Sequence, residues 1–503
     1  MDRDGTLMVV IDLSIYFGAA LQDRDAETQK WSRIAKDLFL HTSDQQAWLQ
    51  LEQQQAAELT SGELVIKSIR VSMPPHSTEA YGQWESRPGN IWLLRVEYRS
   101  DLQTVVTGID VLFGTAAVDL WPGWSLVHSP LVLDAPPEVP IAKITVRHGR
   151  PRASPVAPDT PLRANHDGKF KIVQISDTHM VTGPGVCKDA SDAEGRPLTD
   201  SEADPLTVDF LENVLEAERP DLVILTGDPL HHDILDSQST LFKVVSPMMD
   251  RSIRFAVVFG NHDDEGAHAL SRNTQMHILK TLPFNLAQAG PADIDGVSNY
   301  YIQIFGTAPS PITMATLYFI DSHGQIPSEV HNPDYKPIQS NQMAWFTETS
   351  QTLRKAREKH HNPKHVSLAF QHIPLSEFAD ASLITVAGHR REPTEGPSVN
   401  THFYEALVEE GIVALGCGHD HVNDFCGLLP RKHEGAVGPW LCYGGGSGFG
   451  GYMSYGPNRY HRRARVWELD AKTGGVTTWK RVEYASERVD EHVLVVGGEV
   501  VPP

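Results

Sequence analysis

Phe170-Lys-Ile-Val-Gln-Ile-Ser-Asp-Thr-His179, Leu222-Val-Ile-Leu-Thr-Gly-Asp228 and Phe255-Ala-Val-Val-Phe-Gly-Asn-His-Asp263 follow one rule. Each begins as a short apolar run and reads as a buried strand. Each ends on residues able to bind a metal or move a proton. Between them, Thr207–Ala217 and Phe242–Met249 carry apolar side chains at helical spacing. The resulting β-α-β-α-β alternation predicts a layered α/β core with parallel strands.

Further along, two more strands end the same way. Val366–Phe370 runs into Gln371-His372, and Ile412–Leu415 runs into Gly416-Cys-Gly-His-Asp-His421. Ligands of open α/β sheets sit at the carboxyl ends of strands, so five loops from one sheet edge are expected to converge. Their donors are carboxylates, imidazoles and one amide, without thiolate, which suits hard-to-borderline metals. Asp177 and His179 are two apart and can turn toward one ion. His419 and His421, also two apart, suit two adjacent ions, and Asp228 could bridge them. Two metals about 3.5–4 Å apart form the arrangement used for in-line displacement at phosphorus. Any one of these strings is a common turn. Their ordered recurrence behind five strands is not expected by chance, even with 24 histidines in the chain.

The 503 residues suggest two to three domains. Residues 1–148 read as a β-rich N-terminal domain, with strand-like runs at Val9–Tyr16, Leu64–Ser72, Asn90–Tyr98, Thr104–Phe113 and Ile141–Val146. Within it, Ala26–Gln55 has periodic Trp31, Ile34, Leu38, Trp48 and Leu51, consistent with helical pieces. Pro151, Pro155, Pro158 and Pro161 make residues 149–163 a linker. Residues 164–485 hold the motifs, and 486–503 read as a C-terminal tail. Four cysteines are too few for a disulfide scaffold, and free buried thiols are expected, with a bridge among Cys417, Cys426 and Cys442 as the alternative. A net charge of −21 disfavours nucleic acid and anionic lipid as partners. Asp2 and Asp4 outweigh Arg3 before Leu7–Leu21, so no signal peptide is expected, and no run is long enough to span a membrane. A cytoplasmic location is the default. The oligomeric state has no sequence signature.

The set D-x-H, G-D, G-N-H-D, H and G-H-x-H resembles the calcineurin-like metallophosphoesterase superfamily over about residues 170–425. Longer strings, including Gly260-Asn-His-Asp-Asp-Glu265, Gln371-His-Ile-Pro-Leu375 and Gly418-His-Asp-His-Val-Asn-Asp-Phe-Cys426, look most like its fungal and plant group related to purple acid phosphatases. Some fungal members of that group are protein phosphatases. The resemblance implies a four-layer α/β/β/α sandwich. It implies that Asp177, His179 and His421 hold one metal, that Asn261, His372 and His419 hold a second, and that Asp228 bridges. His262 would be catalytic at the leaving-group or a phosphate oxygen, with Asp263 orienting it. The metals would be drawn from Fe, Mn and Zn. Purple enzymes carry Tyr three residues after the bridging Asp. Here that position is His231, so a colourless protein is expected, with His231 either an extra ligand or a neighbour of the ligands.

The expected reaction is hydrolysis of phosphate monoesters by a metal-bridging hydroxide, phosphoproteins being candidate substrates. One alternative is a phosphodiesterase acting on cyclic nucleotides or lipid headgroups. Another is a non-catalytic regulatory protein that keeps the fold. Asp321-Ser322-His323 follows a strand and could line the pocket. Gly444–Gly451 lacks the Lys-Ser/Thr ending of a phosphate-binding loop. Arg459, Arg462, Arg463 and Arg465 could meet substrate phosphate.

Overall fold

The computed structural model describes residues 6–18, 30–72, 83–152, 160–198, 201–328, 334–359, 364–430 and 437–503. The chain divides into two compact units. One comprises Met1–Pro155 with Thr182–Pro184 and Leu235–Lys243, and the other holds the remainder.

The first unit contains three three-stranded antiparallel sheets. Met8–Phe17, Ala47–Gln55 and Trp31–Asp37 form one, Leu64–Val71, Ile91–Glu97 and Gln83–Arg87 the next, and Val106–Phe113, Ala142–His148 and Trp124–Leu126 the third. Their inward side chains, among them Val10, Leu49, Leu93 and Ile144, share one core. The helical reading of Ala26–Gln55 is corrected here, apart from residues 19–29, which lie outside the described residues. Trp31–Asp37 and Ala47–Gln55 are strands. The buried Asp37 carboxylate accepts from the backbone N–H groups of Phe39, His41 and Ala47, tying down the connection between them. Such a side-chain hub favours a turn over a helix.

The second unit is built on two sheets. The seven-stranded sheet runs Arg254–Val258, Leu222–Thr226, Lys169–Ile175, Arg463–Asp470, Gly475–Val482, Val489–Val496 and Glu499–Val500. Its first three strands are parallel, as the alternation predicts. The eight-stranded sheet runs Leu162–Arg163, Tyr300–Phe305, Thr313–Phe319, Val366–Phe370, Ala414–Cys417, Trp440–Tyr443, Cys426–Leu428 and Ile384–Val386. The sheets meet face to face. Phe370 and Trp467 pack edge-on at 5.9 Å, and buried Gln174 accepts from the Trp467 indole (3.1 Å) while donating to the Cys417 carbonyl (3.0 Å). Helix Ala203–Glu218 covers one outer face, where Glu218 receives Trp479 and Lys171. Helix Ser340–Glu358 covers the other through Phe346 on Tyr318. The order of layers is therefore α/β/β/α.

Three expectations change. Leu162–Arg163, at the end of the proline-rich linker, is an edge strand, while residues 153–159 of that linker lie outside the described residues. Residues 489–500, expected as tail, complete the seven-stranded sheet. Cys426 and Cys442 face each other on antiparallel neighbours and form a disulfide; Cys187 and Cys417 remain free. No described helix is long and apolar enough to cross a membrane.

Candidate metal centre

The five loops do converge, but from two sheets rather than from one edge. Those after Ile175, Thr226 and Val258 leave the seven-stranded sheet; those after Phe370 and Cys417 leave the eight-stranded one. Asp177, His179, Asp228, Asn261, His372, His419 and His421 are all buried. Four hold left-handed backbone conformations, with φ of 55° at Asp177, 44° at His179, 49° at Asp228 and 77° at His419. Residues with a Cβ adopt this region at a cost, and such strain clusters at functional sites.

The donors fall into two groups. Asp177, His179 and His421 form one, and Asp228, His372 and His419 the other. The Nε2 atoms of His179 and His421 lie 3.1 Å apart, and Asp177 Oδ1 is 3.4 Å from the latter. The Tyr452 carbonyl, 2.9 Å from His421 Nδ1, can only accept, so it fixes the ring proton there and leaves Nε2 bare. The same logic applies to His372, whose Nδ1 donates to the Thr226 carbonyl at 2.8 Å. Its Nε2 then faces Asn261 Oδ1 at 3.1 Å and Asp228 Oδ2 at 3.2 Å. His419 Nδ1 lies 3.3 Å from it. Asp228 Oδ2 is also 3.7 Å from His179, between the two groups. Acceptors aimed at one another in a buried space need a cation or a proton among them.

The titration pattern shows that need. Burial pulls the His372 imidazole down, but Asp228 and Asp177 outweigh it and hold it at about 9. Burial and His372 push His419 down to about 3, and burial and His421 push His179 well below its ordinary value. Asp228 resists its own burial because His372 and His262 keep it well below the usual carboxylate range. His179 and His419, pushed toward the neutral form beside the ionised Asp228, are a metal-ready donor set. The proton that Asp228 draws to His372 stands where a metal would.

His262 does not join either group. Its N–H donates to Asp228 Oδ1 at 2.9 Å, and its Nδ1 lies 2.5 Å from Glu265 Oε2. The expected orienting residue, Asp263, does something else. Its carboxylate accepts from the N–H groups of Gly260 (2.6 Å) and Leu230 (3.1 Å), pinning two ligand loops together. Sequence spacing missed Glu265 because two consecutive carboxylates, Asp263 and Asp264, precede it. A reach of three residues was the available signal. Burial and the nearby Asp228 push Asp263 up to about 7.

His231 places Nδ1 on Asp233 (2.6 Å) and Nε2 on Lys188 (3.1 Å), and with His232 and Asp233 it forms a third cluster of metal-capable groups. Ser322 accepts from the N–H groups of His372 and Ile373, holding that loop, while His323 pairs with Gln342. Arg462, Arg463 and Arg465 are buried and bind protein rather than face a substrate. Arg465 donates to the carbonyls of Tyr443 and Asp424. Arg462 donates to the carbonyls of Gly448 (2.7 Å) and Gly451 (3.1 Å). That glycine run closes over the ligands: a Cβ at Gly451 would fall 2.5 Å from His421 Cε1 and 2.8 Å from His179 Cδ2. Tyr452 then stacks on His421 at 4.0 Å.

A family model described as calcineurin-like phosphoesterase matches residues 170–423. The chain is 32% identical over 410 residues to Phosphatase DCR2 of Saccharomyces cerevisiae, spanning 79% of this chain and 68% of that one. It is 34% identical over 363 residues to a protein of Arabidopsis thaliana named probable inactive purple acid phosphatase 29, spanning 68% and 87%. An uncharacterised protein of Schizosaccharomyces pombe is 29% identical over 473 residues, spanning 92% and 84%.

Proposed function

The chain belongs to the calcineurin-like phosphoesterase family, and on that premise we propose that it hydrolyses phosphate monoesters at a dinuclear metal centre. Phosphoproteins are the proposed physiological substrates. Asp177, His179 and His421 would hold one ion, Asn261, His372 and His419 the other, with Asp228 available to both. The observation that carries the reading is the convergence of Asn261 Oδ1 and Asp228 Oδ2 on His372 Nε2, at 3.1 and 3.2 Å, an arrangement that needs a proton or a metal ion at its centre once His372 Nδ1 is committed to Thr226. Imidazole, carboxylate and amide donors fit Fe, Mn or Zn.

When bound, such a pair supplies Lewis-acid polarisation of the phosphoryl oxygens and activation of the attacking water. The chain's own residues do the rest. Glu265 holds the His262 Nδ1 proton, so Nε2 is the nitrogen offered to the ester. Burial pulls this ring down, and Asp228 and the Glu265 carboxylate bonded to Nδ1 outweigh it. A charged His262 can protonate a leaving oxygen or stabilise developing negative charge. Asp263 keeps the loops bearing Asp228 and Asn261 in register.

A second reading is a fold without turnover. It is favoured by the word inactive in the names of Arabidopsis relatives and by His231 at the tyrosine position. The complete donor set argues against it. Metal analysis coupled to a monoester assay, on the wild type and Asp228→Asn, separates the two. Activity with two metals per wild-type chain, both lost in the variant, supports the enzyme. Full occupancy and activity in Asp228→Asn would overturn the assignment.

A further inference from the structure

Lys188 is the side chain beside the centre that the metal reading leaves unused. Its ammonium lies 3.1 Å from His231 Nε2, and His231 is fixed by Asp233 on its other nitrogen. The His231 ring packs edge-on against His179 with centroids 5.7 Å apart. It also lies 4.1 Å from His232, whose ring is 5.6 Å from His262. One imidazole thus separates Lys188 from a proposed metal ligand.

The backbone there is held on several sides. Lys188 donates its N–H to the Phe449 carbonyl (2.9 Å) and accepts at its own carbonyl from Arg462 (2.5 Å). Arg462 also grips the glycine run that packs on His179 and His421. The next residue, Asp189, accepts from Met453 N (3.0 Å) and Ser454 Oγ (2.8 Å). Among the described residues the Lys188 ammonium forms no ion pair with a carboxylate, in a chain of net charge −21. The ammonium is exposed, set against the His231 ring on a backbone held from several sides, and open to an anion.

From this geometry we propose that Lys188 is a specificity-determining residue that binds the additional negative oxygen of a dianionic phosphate monoester. The inference rests on the proposed monoesterase reading. Monoester and diester present similar oxygens to a metal pair, but only the monoester carries a second full charge on the scissile phosphoryl group. A flexible lysine stem with a compact ammonium can follow that charge. Asp233 and His231 act as the props that keep the ammonium at the rim.

The test compares metal-loaded wild type, Lys188→Met and Lys188→Arg on p-nitrophenyl phosphate and bis(p-nitrophenyl) phosphate. Metal content is measured alongside. The ratio of kcat/KM for monoester over diester is expected to fall about tenfold in Lys188→Met, equivalent to about 1.4 kcal/mol. The loss should lie in KM for the monoester, and arginine should restore most of it. An unchanged ratio, or equal losses on both esters, overturns the proposal. Should the wild type cleave neither ester, the monoesterase reading fails by itself. Calorimetric titration of inorganic phosphate into the metal-loaded protein then decides Lys188: weaker binding in Lys188→Met sustains it, and equal affinity overturns it.

Discussion

Replacing Asp424 by asparagine removes the charge of one buried carboxylate just behind the candidate metal centre. Asp424 is 1% exposed and is surrounded by Arg463, by Lys480 at 2.7 Å and by Arg391 at 2.5 Å. Lys480 and Arg463 are themselves 1% and 3% exposed. Asparagine keeps the size and can still accept from the His389 N–H, but its NH2 replaces the oxygen that accepts from Arg463 and Lys480, so the charge and those two hydrogen bonds go together. Removing one partner of a buried ion pair strands the others and costs about 3–5 kcal/mol. With unfolding entropy of about 2.1 cal/mol/K per residue over the roughly 340 residues of the larger unit, about 4 kcal/mol lowers Tm by roughly 6 °C. Thermal melts at neutral pH measure this. Asp192→Asn is the control, because its partner Arg196 is 72% exposed and water screens such a pair. The pH dependence has a definite sign. Burial raises the Asp424 carboxyl, but Arg463, Lys480 and Arg391 outweigh it and hold it well below the ordinary range. A depressed carboxylate stabilises fully above its unfolded pKa, about 3.9, and progressively less as pH falls toward the folded value. The gap between wild type and variant should therefore be constant from neutral pH to about 5 and narrow below about 4. A loss no larger than the Asp192→Asn control, or a gap that widens in acid, would refute the reasoning.

His262→Ala should keep its metals, because the backbone N–H to Asp228 survives, while kcat falls about 10²- to 10⁴-fold; metal analysis with steady-state kinetics checks both. Loss of metal there would mean that His262 is a ligand. Glu265→Gln removes one of the two charges that raise His262, after burial has lowered it, so the alkaline limb of the pH–rate profile should move to lower pH. A limb that stays put would exclude His262 as the acid. Gly451→Ala introduces a methyl into the His421 and His179 rings, an overpacking expected to cost about 1–3 kcal/mol and to lower metal occupancy, read by melting and metal analysis.

The candidate metal donors were legible because each follows its strand directly, so local sequence fixes where it emerges. Their split between two sheets was not, because strand pairing over hundreds of residues leaves no local mark. The same limit hid the disulfide, since Cys426 and Cys442 meet only through the pairing of their strands. Trp31, Ile34 and Leu38 mimic helical spacing by accident, and the hydrogen bonds of Asp37 decide otherwise. Arginines in an acidic chain suggested a phosphate contact; folded, Arg462 and Arg465 spend their donors on carbonyls of loops that no periodicity could locate. Glu265 rather than Asp263 meets His262 for a simpler reason, as either carboxylate can reach a neighbouring loop and only the backbone path chooses.

The left-handed backbones at Asp177, His179, Asp228 and His419 set stability against function. Glycine at any of these positions would relieve a conformational penalty of about 1 kcal/mol while deleting a donor. Yet a library screened for heat resistance would gain nothing there, because the Asp177 and Asp228 carboxylates also accept from the N–H groups of His419 and His262, and leaving such a buried donor unpaired costs about 1–3 kcal/mol. Adaptation of this chain to higher temperature therefore has to draw its gains from the sheets and helices, with the ligand loops left as they are.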